Sequence, residues 1–322
     1  MSPARGSWGI ARTRAAIARR LHGPYPGLEQ LEQRLEALTS RVEELQELRA
    51  AQLSEMSASL WLRDDLRHTM RALAANEAQN RAALREARED DGYRRAWADD
   101  RPLISVTVAT LGRPELISRS LPSILGQSYG ELEVVVGGDD APPETESAVA
   151  ELGDPRVRYL DLGPRQTWTD DPVRLWLVGA TRARNACVRE ARGRWVVEFD
   201  DDDAMRPGCL EALLDLARRS DAEAVYGQVR QHLGDHPREL CVFPPRLHHF
   251  CWAGAMYHAG LRFFGRELLA ADLGLPGDWW LAERMLRAGV RFAMRDEVLC
   301  DVYASDRGPR ALERGRIPWS EQ

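Results

Sequence analysis

From residue 28 the apolar positions Leu28, Leu31, Leu35, Leu38, Val42 and Leu45 recur at alternating steps of three and four, with Glu, Gln and Arg between them. That spacing lays a narrow apolar stripe along a helix, the seam of a coiled coil, and predicts pairing with a second copy (a homo-oligomer) or with a partner helix. A helix packed on its own domain is the competing reading, because the phase loosens at Leu48, Leu53, Met56 and Leu60. From Arg63 to Asp100 the sequence is polar, Ala-rich and charged, with weak periodicity at Leu66, Met70 and Leu73, which predicts a solvated helical stalk. Ahead of the seam, residues 1–27 carry Arg5, Arg12, Arg14, Arg19 and Arg20 and no acid, and Gly23-Pro-Tyr-Pro-Gly27 breaks any helix. A disordered basic tail is expected there, with a short amphipathic helix resting on an anionic membrane surface as the alternative.

The period changes at Arg101-Pro102. Leu103 to Ala109 is a β-branched run, Leu111-Gly-Arg-Pro114 a turn, and Ile117, Leu121, Ile124 and Leu125 a helical face. Glu133-Val-Val-Val136 is a second strand closed by Gly137-Gly-Asp-Asp140, and Arg156 to Leu160 a third. A helix bearing Ala180, Ala183, Cys187 and Ala191 leads to the apolar run at Trp195, which ends abruptly in Asp200, Asp201, Asp202 and Asp203. Pro207 then opens a helix with Leu210, Leu213, Leu214 and Ala217 on one face. Strands alternating with helices predict an α/β fold with a doubly wound, mostly parallel sheet. Ligands bind such sheets at the C-terminal strand ends, so oxygen ligands there suggest a hard divalent cation and a phosphate-bearing substrate. Helix capping accounts for one or two of the acids, but four adjacent carboxylates repel one another and exceed that need.

Composition adds limits. With 322 residues, 44% hydrophobic and 29% charged, the chain is long enough for one large domain plus an appendage, or for two domains. We divide it at the composition changes into 1–27 (tail), 28–100 (coiled coil and stalk) and 101–322 (α/β domain). A net charge of -6 argues against a nucleic-acid binder, and the basic residues are all Arg, a bias weighed lightly beside Arg's aptitude for phosphate. The five cysteines form no CxxC pair, which predicts reduced thiols in a cytoplasmic protein, and Cys241, Cys251 and His248 or His249 match no standard zinc spacing. No apolar run reaches transmembrane length, and the N-terminus lacks the apolar core of a secretory signal.

Four blocks, in order, resemble the inverting family 2 glycosyltransferases of the GT-A fold. Pro102-Leu-Ile-Ser-Val-Thr-Val-Ala-Thr-Leu-Gly-Arg-Pro114 is similar to their opening strand and turn, where Asn often stands in place of Gly112; Glu133 to Thr145 is similar to their second strand and Asp loop. Ala183-Arg-Asn185, Ala191-Arg-Gly193 and the aspartate run resemble the approach to their DxD motif. Gly277-Asp-Trp-Trp280 with Arg284 to Phe292 resembles their acceptor-side motif, with Gly277 replacing the usual acidic neighbour. The resemblance covers Pro102 to Tyr303.

It implies transfer of a single sugar from a nucleotide-sugar donor, UDP-linked, to a saccharide or other acceptor hydroxyl in polysaccharide or glycoconjugate synthesis, with Mn²⁺ or Mg²⁺ as cofactor. The Q-x-x-R-W element of processive members is absent. By the same resemblance Asp202 is the preferred metal ligand, Asp200 contacts metal or ribose, Asp203 is in reserve, and Asp201 leaves the register open. Asp139 would hold the nucleobase, Thr110 and Arg113 line the nucleotide pocket, Arg184 reach the diphosphate, and Asp278 act as catalytic base. Each has a plainer role available: an Asx-type turn for Asp139, a surface Arg for Arg184, an N-cap for Asp278. Glu283 is a weaker base, Trp252, Trp279 and Trp280 suit sugar stacking or core, and His258 suits a structural role. A non-catalytic scaffold assembled through its coiled coil and a nucleotidyltransferase are the competing functions.

Overall fold

The computed structural model describes residues 28–166, 168–232 and 236–303, so the basic tail expected over 1–27 lies outside the described residues. The chain divides into two compact units, 1–72 and 73–322. Helix α1 (Leu28–Glu89) begins in the first, where its apolar seam faces solvent. No helix among the described residues is long and apolar enough to cross a membrane.

In the second unit the end of α1 and helix α2 (Asp91–Ala98) pack on the sheet, which corrects the expectation of a solvated stalk reaching Asp100. Leu84, Tyr93 and Ala96 are buried. Arg88 donates twice to the fully buried Glu223, at 2.7 and 2.6 Å, and the Tyr93 hydroxyl donates to the same carboxylate at 3.0 Å. Trp97 stacks on His258 at 4.9 Å, and Tyr93 lies 3.9 Å from that ring. Polar and aromatic side chains make this dock, so no apolar repeat announces it.

The sheet has nine strands among the described residues, in the order β3-β2-β1-β4-β8-β6-β9-β5, with β7 paired to β6. The strands β1 (Ile104–Thr110), β2 (Leu132–Gly138), β3 (Val157–Asp161) and β4 (Trp195–Asp200) are mutually parallel, as the β-branched runs and alternating helices predict. Beyond β4 the directions mix. The strand β8 (Ala255–His258) is antiparallel to β4 and to β6 (Ala224–His232), while β9 (Phe292–Tyr303) runs parallel to β6 and antiparallel to β5 (Ala204–Met205); β7 is Arg238–Glu239.

Register positions the site. Thr110 lies opposite Gly138 and Ala109 opposite Asp200, so β1, β2 and β4 end level with one another. The turns after them therefore share one edge of the sheet. The helices are α3 (Leu121–Leu125), α4 (Pro143–Glu151), α5 (Pro172–Val178), α6 (Thr181–Glu190), which packs on β1 and β2, α7 (Cys209–Ser220), α8 (Leu269–Asp272) and α9 (Gly277–Ala288).

Candidate active site at the strand ends

The four aspartates at the end of β4 turn to different surroundings, with Arg113 shared between Asp201 and Asp202. Asp201 is buried and accepts from the Thr110 hydroxyl at 2.7 Å and from Arg113 at 2.8 Å. Asp203 is also buried and turned inward, accepting the Tyr303 backbone N–H at 3.0 Å. Asp202 and Asp200 remain open to solvent, with side-chain exposures of 16% and 42%. Arg113 also donates to Asp202 at 2.6 Å, and Arg184 donates to Asp200. Thr110 and Arg113 are thus brought to the acidic turn as its clamps.

The electrostatics follow from crowding. Burial pushes the Asp202 carboxyl up to about 6, against Arg113 and with the help of repulsion from Asp200 and Asp201. Burial likewise raises Asp201 and Asp203, Arg113 opposing it at the first and the neighbouring acids reinforcing it at the second. Burial disfavours the charge on Arg184, yet Asp200, Glu198 and Asp278 together lift its pKa above the ordinary guanidinium value. Four carboxylates facing Arg113 and Arg184 leave acid in excess. A hard divalent cation suits that donor set, with Asp200 and Asp202 as the carboxylates that keep solvent contact. Asp203, turned to Tyr303, stands behind the pair. Among the described residues no three His, Cys, Asp or Glu side chains converge as a complete metal cage.

Asp139, at the end of β2, is buried and is met by Arg182 at 3.0 Å and Arg165 at 4.0 Å; its backbone N–H donates to the Thr110 carbonyl at 3.0 Å. Arg182 and Arg184 leave α6 in different directions, one toward the acid after β2 and the other toward the acid after β4. Asn185 instead ties down residue 266, exchanging hydrogen bonds of 2.9 and 2.8 Å with the Arg266 backbone.

Asp278 lies in the first turn of α9, whose N-cap is Pro276, so it is not the cap that the sequence admits. Its carboxylate accepts the Trp279 N–H at 2.7 Å, and its backbone carbonyl accepts from the buried Trp252 indole at 2.8 Å. A Cβ on Gly277 would sit 3.2 Å from the Leu177 carbonyl, so tight packing on the end of α5 disfavours the acid expected at that position. Gly112 departs from the family pattern for a related reason. Its φ is +82°, and a Cβ there would lie 2.5 Å from Pro142 Cδ and 2.6 Å from Thr145 Oγ1. The Trp280 indole is buried and donates to Glu267, Trp279 donates to Glu283, and His258 sits in the aromatic cluster under α2, so these belong to the framework.

Three residues at this edge were not singled out from sequence: Arg165, Arg182 and Glu198. The buried Glu198 takes hydrogen bonds from Arg266 at 2.7 Å and Tyr257 at 3.0 Å and lies 3.8 Å from Arg184. A charged residue inside the apolar run of β4 was the available signal.

Comparison with known proteins matches residues 174–239 to the model for Glycosyl transferase family 2. The succinoglycan biosynthesis protein ExoO of Rhizobium meliloti is 33% identical over 125 residues, covering 39% of this chain and 32% of that protein. The UDP-Glc:alpha-D-GlcNAc-diphosphoundecaprenol beta-1,3-glucosyltransferase WfgD of Escherichia coli is 28% identical over 125 residues, covering 39% of this chain and 45% of its own. The matches thus span less than half of either relative. Among solved structures, S. aureus TarS 1-349 superposes with a TM-score of 0.49 at 15% identity, over 64% of this chain and 61% of that one. The segment that matches the family model runs through α6, β4 and the aspartate turn, so the likeness to glycosyl transferase family 2 falls on the strand end where the acids gather.

Proposed function

We propose that this chain is an inverting glycosyltransferase that moves one sugar from a nucleotide-sugar donor, UDP-linked, to an acceptor hydroxyl in polysaccharide or glycoconjugate synthesis. One observation carries the proposal. Asp200 and Asp202 are the two carboxylates left open at the end of β4, with Arg184 beside them and the Asp278 charge within its electrostatic reach.

In this reading Asp139 accepts a ring N–H of the base, held in place by Arg182 and Arg165. Mn²⁺ or Mg²⁺ on Asp200 and Asp202, when bound, neutralises charge on the departing diphosphate. Arg184 can exchange Asp200 for phosphate oxygens, and Arg113 keeps Asp201 and Asp202 in position. Asp278 takes the acceptor proton as the acceptor oxygen bonds to the anomeric carbon and the bond from that carbon to the phosphate oxygen breaks, leaving the nucleoside diphosphate. Attack from the face opposite the leaving group inverts the anomeric centre. WfgD acts on a sugar carried on diphosphoundecaprenol, which supports a lipid-linked saccharide as this chain's acceptor. The basic residues 1–27 are the candidate for peripheral contact with a membrane surface. The exposed seam of α1 adds a helix-pairing surface.

The test is nucleotide binding and transfer with a panel of nucleotide sugars, with and without Mn²⁺. Asp202→Asn is expected to remove metal-dependent nucleotide binding, and Asp278→Asn to keep binding and lose transfer. Intact transfer in both variants, or no metal-dependent binding of any donor by the wild type, refutes the assignment.

A further inference from the structure

Along α1, Leu31, Leu35, Leu38, Val42, Leu45, Leu53 and Met56 are 48 to 69% exposed, an apolar line on a helix that otherwise presents charge. Up to Leu45 the steps alternate between four and three residues. The step from Leu45 to Leu53 is divided by Arg49 into two steps of four, a single stutter that keeps the line on one face of a slightly unwound coil. We propose that this line is covered by a second copy of the chain, parallel and in register, forming a two-stranded coiled coil over residues 31–56. The proposal stands apart from the transferase reading.

Three observations select that occupant. Leu31, Leu38 and Leu45 fall at d and Leu35 and Val42 at a, and Val42, β-branched at a between Leu residues at d, is the choice that favours two strands. Arg49 falls on the core line; in a pair its stem can lie along the seam while the guanidinium reaches water, whereas three or four strands would enclose it. Arg34 and Arg41 both flank the seam on the g side. An antiparallel pair would set g against g and Arg against Arg, while a parallel pair sets them opposite Thr39 and Gln46 of the second copy. With side chains this exposed, each offering on the order of 100 Å², a pair would bury on the order of 1,400 Å², within the range of specific interfaces.

The experiment uses the full chain. Sedimentation equilibrium at micromolar concentration should give the mass of two chains for the wild type. The Leu38→Asp, Val42→Asp double variant should give the mass of one, with the unfolding transition of unit 73–322 unchanged by tryptophan fluorescence. Leu38→Cys, mildly oxidised, should form a covalent dimer that the wild type does not, because d positions of a parallel in-register pair meet their own counterparts. The five native thiols are no competitors: four are buried and Cys251 is partly buried. A wild-type mass of one chain, or of three or more, overturns the proposal. So does a dimer that survives the double substitution, and so does one in which Leu38→Cys fails to cross-link, the signature of antiparallel pairing.

Discussion

Glu223→Gln should show that residues 73–98 belong to the catalytic unit. The carboxylate is fully buried and holds Arg88 at 2.7 and 2.6 Å, the Tyr93 hydroxyl at 3.0 Å and the Arg291 N–H at 2.9 Å. The amide keeps the shape but sets an NH₂ against donors and leaves the guanidinium without its counter-charge. Removing one partner of a buried pair costs roughly 3 to 5 kcal/mol, and because Arg88 is about one-third exposed the lower end applies, about 3 kcal/mol. For a unit of this size that is a fall in Tm of roughly 6 to 12 °C. Thermal and urea unfolding provide the assay, with Glu89→Gln, on the exposed side of α1, as the control expected within about 0.5 kcal/mol. In a cycle with Arg88→Met, the double variant should cost less than the sum of the singles by about 1 to 3 kcal/mol. A loss under about 0.5 kcal/mol for Glu223→Gln, or strict additivity in the cycle, refutes the clasp.

Other substitutions test the site and its supports. Glu198→Gln should loosen Arg184, lowering kcat for transfer about tenfold or more with little change in the metal requirement; restoration by Glu198→Asp would mark a charge-positioning role, and unchanged kcat would exclude one. Gly112→Asn, which restores the residue common in the resembling proteins, should destabilise by about 1 to 3 kcal/mol in urea melts, because its Cβ meets Pro142 and Thr145; a neutral result would show that this turn yields easily. Burial holds His258 down to about 4, with Arg194 and Arg262 acting in the same direction and Glu223 and a backbone hydrogen bond against it; its Nδ1 accepts the Gly260 N–H at 3.0 Å. The unfolded chain therefore binds this proton first, so the contribution is full above about pH 6.5 and declines as pH falls toward 4, by about 3 kcal/mol in total. His258→Phe should flatten that part of the stability profile, and an unchanged acid limb would remove His258 as its source.

Half of the sheet was legible because its signals are local. The β-branched runs of β1 and β2, the Asp turns that close β2 and β4, and the leucine face of α7 each lie within a single window of sequence. The other half depends on distant pairings. The strand β8 is four residues long, and β6 alternates polar side chains toward its end, so neither stands out until the other is beside it. The dock made by the end of α1 and by α2 escaped for a different reason. Its energy lies in an ion pair and in rings stacked on His258, residue types that a hydrophobic periodicity counts as solvent-facing.

The aspartate run shows why spacing could nominate a site without assigning it. Adjacent carboxylates at a strand end share one pattern in sequence, but they part toward the groups that β1, β9 and α6 bring up, Asp201 and Asp202 sharing Arg113. Thr110 and Arg113 take Asp201, the backbone of Tyr303 takes Asp203, and Arg184 reaches Asp200 from α6. The two acids with the tightest structural duties are therefore the second and fourth, and the first and third keep the solvent. The proposed pairing of Asp200 with Asp202 rests on this division, in which Asp201 and Asp203 are engaged in holding the turn. Burial, reinforced by Asp200 and Asp201, raises the Asp202 carboxyl against the pull of Arg113, so the fold leaves the charge of this solvent-facing acid under-compensated.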